Sequence, residues 1–82
     1  VGMTKYFASL FASDLIKVNM ISPGPIFNNN PKNLVKELKK IIPMQRLGLK
    51  EDLKSAINFL MDNENNYITG QNIVIDGGRT II

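Results

Sequence analysis

Pro23-Gly24-Pro25, closing a short apolar run, is a stretch whose main chain a ligand could approach closely. Gly24 has no Cβ to hold a ligand off, and a proline on each side stiffens the loop at little entropic cost. The same residues also make an ordinary tight turn at the end of a strand. Farther along, lysine gathers at Lys32, Lys36, Lys39 and Lys40, able to attract an anion or simply to solvate one helix face. Arg46 suits the bracing of a loop, and Asp76, followed by Gly77, suits a turn cap better than a catalytic acid.

The missing residue types exclude more. The sequence holds no Cys and no His, which removes disulfides, thiolate metal sites and the commonest metal ligand and general base, so no metal site is expected. Net charge is +3, but no aromatic residue interleaves with the lysines to stack on bases, and nucleic acid is not an expected partner. Hydrophobic residues make up 44% and charged residues 21%, the balance of a chain that packs a core. No run approaches the roughly 20 apolar residues of a membrane span, and no signal-peptide pattern opens the chain, so a membrane is not expected and the cytoplasm is. A length of 82 residues allows one small domain at most, and is short for a whole doubly wound sheet.

The elements that must position these residues follow from periodicity. Met3, Tyr6, Phe7, Leu10 and Phe11 share the spacing of a one-faced helix over residues 1–13, with Tyr6 in the core. That helix has no capping residue ahead of Val1, so its start is expected to be severed. Residues 16–21 form an apolar run suited to a strand buried on both faces, ended by Pro23 and Pro25. Asn30 is placed to cap a helix over residues 31–42 with Pro31 in its first position, and Pro43 stops it. Glu51 and Asp52 open a second helix whose buried face is Leu53, Ala56, Ile57, Leu60 and Met61. Ile73-Val74-Ile75 makes a last strand closed by Asp76-Gly77-Gly78. Two short apolar strands joined through helices predict a parallel pair with a right-handed crossover, the end of an α/β sheet.

Five motifs in register then carry a resemblance. Val18-Asn19-Met20-Ile21-Ser22-Pro23-Gly24-Pro25-Ile26 resembles the V-N-x-I-x-P-G-x-I segment of the short-chain dehydrogenase/reductase family. Ile42-Pro43-Met44-Gln45-Arg46-Leu47-Gly48 is similar to its I-P-L-x-R-x-G loop, and Glu51-Asp52 with Phe59-Leu60 to its next helix. Tyr67-Ile68-Thr69-Gly70-Gln71 and Val74-Ile75-Asp76-Gly77-Gly78 resemble the family's ending. Each motif alone is ordinary turn chemistry; together they cover essentially the whole chain. The nearest flavour is the 3-oxoacyl-[acyl-carrier-protein] reductase group.

The resemblance implies an α/β fold in which residues 1–82 form the C-terminal part of a Rossmann-type doubly wound parallel sheet, its last two strands and flanking helices. It implies hydride transfer between NAD or NADP and a carbonyl or alcohol. Pro23, Gly24, Pro25, Ile26 and Asn28 are then the cofactor-binding candidates, with the backbone N–H and C=O of Ile26 meeting the nicotinamide carboxamide. Asn28 departs from the family's usual threonine, though its amide can still donate. Phe27, Lys32 and Lys36 are weaker substrate candidates, the lysines toward an anionic, acyl-carrier-linked or phosphorylated group. No catalytic residue is expected within the chain: the family's Tyr-x-x-x-Lys pair falls upstream of Val1, and no glycine-rich phosphate loop is present. Alone, the chain is expected to be inactive. A homo-oligomer through the last helix and strand is the partner expectation, and a non-catalytic oligomerisation or interaction fragment the alternative reading.

Overall fold

Two parallel four-residue strands form the centre of the chain, and the helices between them make the connection. In this computed structural model, which describes residues 2–81, helix α1 (Gly2–Phe11) runs into a 3-10 turn at Ala12–Asp14. Strand β1 (Met20–Pro23), helix α2 (Lys32–Ile41), helix α3 (Lys50–Met61) and strand β2 (Asn72–Ile75) follow. The register pairs Met20 with Asn72, Ile21 with Ile73, Ser22 with Val74 and Pro23 with Ile75, the parallel pair that the two apolar runs predict. The expected uncapped start at Val1 lies outside the described residues.

β1 begins four residues later than the apolar run, and side chains explain why. Val18 and Asn19 meet a loop rather than a strand: the Val18 N–H donates to Thr69 Oγ1 at 3.0 Å, and Asn19 Nδ2 donates to Ile68 O at 3.1 Å. Asn19 Oδ1 in turn accepts from the Gln71 N–H at 3.0 Å. The ladder starts only where the Met20 N–H reaches Gln71 O at 2.8 Å. Pro23 closes the strand inside the ladder instead of beyond it. The N–H groups of Met20 and Gly24 both donate toward β2, so backbone alternation turns the nitrogen of Pro23 to the other edge, where its missing N–H costs the pair nothing.

Helix starts also differ from expectation. Asn30 does not cap α2: its Oδ1 turns back to accept the Asn28 N–H at 2.7 Å, and Pro31 occupies the cap position. α3 opens with Asp52 Oδ2 accepting the Leu49 N–H at 2.7 Å, half of a capping box, since the Leu49 side chain has no acceptor to return. Its far end is closed by Lys17, whose Nζ donates to the carbonyls of Leu60 (3.0 Å), Asp62 (3.4 Å) and Asn65 (2.6 Å). Lysine is well placed there because the last carbonyls of a helix lack partners and carry its negative dipole end.

The core among the described residues is small: Ala8, Ile42 and Leu47 are the buried apolar side chains. The expected buried face of α1 is largely open, with Met3, Tyr6 and Leu10 at 72%, 64% and 52% exposure, so Tyr6 is not a core residue here. α1 turns Ala8 instead toward the Gly70 loop, where the two approach closely. On α3, Leu53, Ala56 and Leu60 are half-buried while Ile57 and Met61 stay exposed. The chain is elongated, 49 × 23 × 18 Å, with a radius of gyration of 15.4 Å against about 12 Å for a compact domain of this length.

Candidate functional site

The turn leaving β1 is held from two sides. At Gly24, the N–H donates to Ile75 O at 2.8 Å, and a Cβ would fall 2.6 Å from Asp76 Cβ and 2.9 Å from its Cα. Glycine is therefore required by the approach of Asp76, an internal demand of the fold that replaces the ligand-clearance role its lack of a Cβ first suggests. One residue on, the Pro25 carbonyl accepts the Gly48 N–H at 2.9 Å, and the Phe27 N–H donates to Gly48 O at 2.9 Å. Ile26 and Gly48 thus form an isolated parallel bridge.

This bridge decides the orientation of Ile26. In a parallel pairing the residue bracketed by two such bonds turns its own N–H and C=O to the opposite side. Among the described residues no hydrogen bond engages either group. One donor and one acceptor, adjacent and held on a braced segment, form a complementary pair for a primary amide, whose NH2 donates and whose oxygen accepts. Pro23 is exposed beside them, and Pro25 is half-buried, its carbonyl engaged. Asn28 is exposed with its N–H engaged by Asn30.

Phe27, Lys32 and Lys36 come together separately. With Asn29, Val35 and Lys39 they line an open groove between the loop and α2. Phe27 reaches a second groove with Asn28 and the start of α3, so it stands between two surfaces and is not a buried loop anchor. A third cleft lies between the start of α3 and the end of β2, lined by Met44, Arg46, Asp52, Ser55 and Asp76 among others. It contains none of the cofactor or substrate candidates from sequence.

Among the described residues, two carboxylates and one guanidinium are electrically perturbed. Hydrogen bonding to Arg46 does most to hold the Asp52 carboxyl below its usual range, helped by the Leu49 N–H, and Asp52 in turn raises Arg46. The Thr80 hydroxyl leads in lowering Asp76, with backbone N–H groups of Gly78, Thr80 and Arg79 adding to it against desolvation. The Gly78 and Thr80 N–H groups each lie 2.9 Å from an Asp76 oxygen, so Asp76 is the turn cap that its sequence context predicts. Arg46 braces a loop, also as expected. Lys17 and the ties of Val18 to Thr69 and of Asn19 to Ile68 and Gln71 were not foreseen; a lysine inside an apolar run gives no local sign of a helix end more than forty residues away.

The fold is that of a known family. The family model described as enoyl-(acyl carrier protein) reductase matches residues 1–80, and the chain belongs to that family of short-chain dehydrogenase/reductases. The 3-oxoacyl-[acyl-carrier-protein] reductase of Thermotoga maritima is 38% identical over 99% of this chain and 35% of its own length. A short-chain dehydrogenase from Leptospira borgpetersenii, solved with bound NAD+, superimposes with a TM-score of 0.89 at 40% identity, covering 96% of this chain and 31% of that one. YwfH, an NADPH-dependent reductase involved in bacilysin biosynthesis, gives a TM-score of 0.88 at 29% identity, covering 95% and 35%. The chain spans about a third of the length of the relatives it matches. No helix among the described residues is long and apolar enough to cross a membrane.

Proposed function

We propose that this chain supplies the C-terminal part of an NAD(P)-dependent oxidoreductase that transfers hydride between a nicotinamide cofactor and a carbonyl or alcohol, with residues 23–28 as one wall of the nicotinamide site. The unengaged N–H and C=O of Ile26 carry this reading, because they match the donor and acceptor of a carboxamide. Relatives solved or named with NAD+ and NADPH support both forms of the cofactor.

When bound, the reduced nicotinamide supplies a hydride to the carbonyl carbon. Ile26 fixes which face of the ring is presented, since transfer needs the reacting atoms within about 3–3.5 Å and aligned. Pro25 and Phe27 hold Ile26 through the Gly48 bridge, and the Asn28 amide faces solvent, free to donate to a carboxamide or phosphate oxygen. The proton for the carbonyl oxygen comes from outside this chain: neither Tyr6 nor Tyr67 has a lysine four residues on, and both are exposed. The groove of Phe27, Lys32 and Lys36 suits an anionic substrate, and an acyl-carrier-linked thioester fits the named relatives. We place the enzyme in the cytoplasm as a homo-oligomer joined through α3 and β2, with no nucleic-acid or membrane partner.

The test is the full-length enzyme with NADH or NADPH and a panel of carbonyl substrates, including acyl-carrier-linked 3-oxo thioesters. Loss of the reduced-nicotinamide absorbance is expected with one cofactor, and none with either would refute the assignment. Lys32→Glu with Lys36→Glu should raise KM for an anionic substrate about tenfold while leaving a neutral one unchanged. An equal effect on both substrates would remove the lysines from substrate attraction. The open apolar faces favour a second reading, an interaction fragment without catalysis, which a full-length protein inactive with every carbonyl would support.

A further inference from the structure

We infer that the Arg46–Asp52 ion pair is a positioning device for the nicotinamide wall, setting both peptide groups around Gly48 so that Ile26 is held with its N–H and C=O outward. The inference rests on the reading of residues 23–28 given above.

The connectivity is specific. Arg46 Nη1 donates to the Leu47 carbonyl at 3.0 Å and to Asp52 Oδ2 at 3.0 Å, and Nη2 donates to Asp52 Oδ1 at 3.4 Å. Asp52 Oδ2 accepts the Leu49 N–H at 2.7 Å. The Leu47 carbonyl and the Gly48 N–H belong to one peptide group, and the Gly48 carbonyl and the Leu49 N–H to the next. Each group is therefore gripped at one end by the ion pair and at the other by the β1 turn, through Gly48 N–H to Pro25 O and Phe27 N–H to Gly48 O. Because a peptide group is planar, rotating it at one end misaligns the bond at the other. Buried Leu47 anchors the loop from below. Gly48 itself packs closely under the Ile26 side chain, since a Cβ there would fall 2.7 Å from Ile26 Cδ1.

The pair is poorly placed to act mainly through stability. Its side chains are 51% and 31% exposed, and exposed ion pairs contribute little to folding. Its bonds fall instead on the two peptide groups that flank Gly48, whose other ends hold Pro25 and Phe27 on either side of Ile26.

A structural role and a positioning role separate when the ligand is varied. In the full-length enzyme, NADH or NADPH binding is compared with that of ADP-ribose or its 2′-phosphate, which keeps the rest of the cofactor but lacks the nicotinamide. Arg46→Met should weaken the dinucleotide about tenfold, the scale of one misaligned hydrogen bond, and leave ADP-ribose within about twofold. Arg46→Lys, which keeps the charge but not the fork, should recover part of the loss. Asp52→Asn, which retains an acceptor for the Leu49 N–H, should behave like Arg46→Met. Equal weakening of both ligands, or of neither, would overturn the positioning role. Ile26→Pro removes the donor itself. If Ile26→Pro weakens the dinucleotide selectively and Arg46→Met does not, the ion pair fails as a positioning device while the wall stands. If Ile26→Pro has no selective effect, the wall itself fails, and this inference with it.

Discussion

Asp76 joins the two halves of the turn region. Its backbone lies against Gly24, and its carboxylate collects the N–H groups of Gly78 and Thr80. Gly24→Ala would drive a methyl group into the Cα and Cβ of Asp76, neither of which can swing aside as the tip of a long side chain can. We expect a loss of more than about 2 kcal/mol, read from chemical denaturation of the full-length enzyme; a near-neutral result would show that the turn relaxes freely. The Asp76 carboxylate also gives a pH signature. Its folded pKa lies below the unfolded value, as does that of Asp52. Both therefore favour the folded state above the unfolded pKa, and that contribution disappears as pH falls through the folded pKa. Stability should therefore fall as pH is taken down through and below the ordinary carboxylate range, and Asp76→Asn should flatten the drop. An unchanged slope in that variant would show that its contacts do not couple to folding.

α3 is fixed at both ends by residues outside it, Arg46 at its start and Lys17 at its finish. Lys17→Met keeps the aliphatic stem but leaves three carbonyls without their donor. The cost should be about 1–2 kcal/mol, seen as a lower Tm and as faster amide exchange confined to the last turn of α3 and the 62–66 turn. Uniform exchange across the chain would argue against a local cap. The contrast between the two ends shows what was legible beforehand. Helices α2 and α3, the stop at Pro43 and the parallel strands follow from periodicity and turn chemistry, both of which are local in sequence. Lys17 and Asn19 act on partners 43 to 52 residues away, and no spacing rule connects such positions. Asn30 misled because two acts are open to an asparagine before Pro31, capping the helix or closing the preceding turn, and its type does not choose between them. At the site, the type of Gly24 was legible, but the neighbour that demands it became visible only once Asp76 was placed beside it.

For the whole molecule, surface area is the limiting quantity. The chain exposes 6374 Å², whereas a compact protein of 9.2 kDa exposes about 4,900 Å². The excess of about 1,500 Å² is more than one partner contributes to a standard stable interface, about 800 Å². Much of it is apolar, from the open face of α1 to Ile57 and Met61 on α3. Two strands alone do not make a sheet that stands in water, and an uncovered strand edge recruits other chains. These 82 residues, prepared by themselves, should sediment as associated species and unfold without a sharp transition. They should also leave the absorbance of NADH and NADPH unchanged with any carbonyl, for want of a proton donor and a phosphate cradle. A monodisperse, cooperatively folding monomer would mean that the exposed faces are tolerated as they stand. In that case the oligomer proposed through α3 and β2 would lose its driving force, while the orientation of Ile26, set by bonds within the chain, would remain.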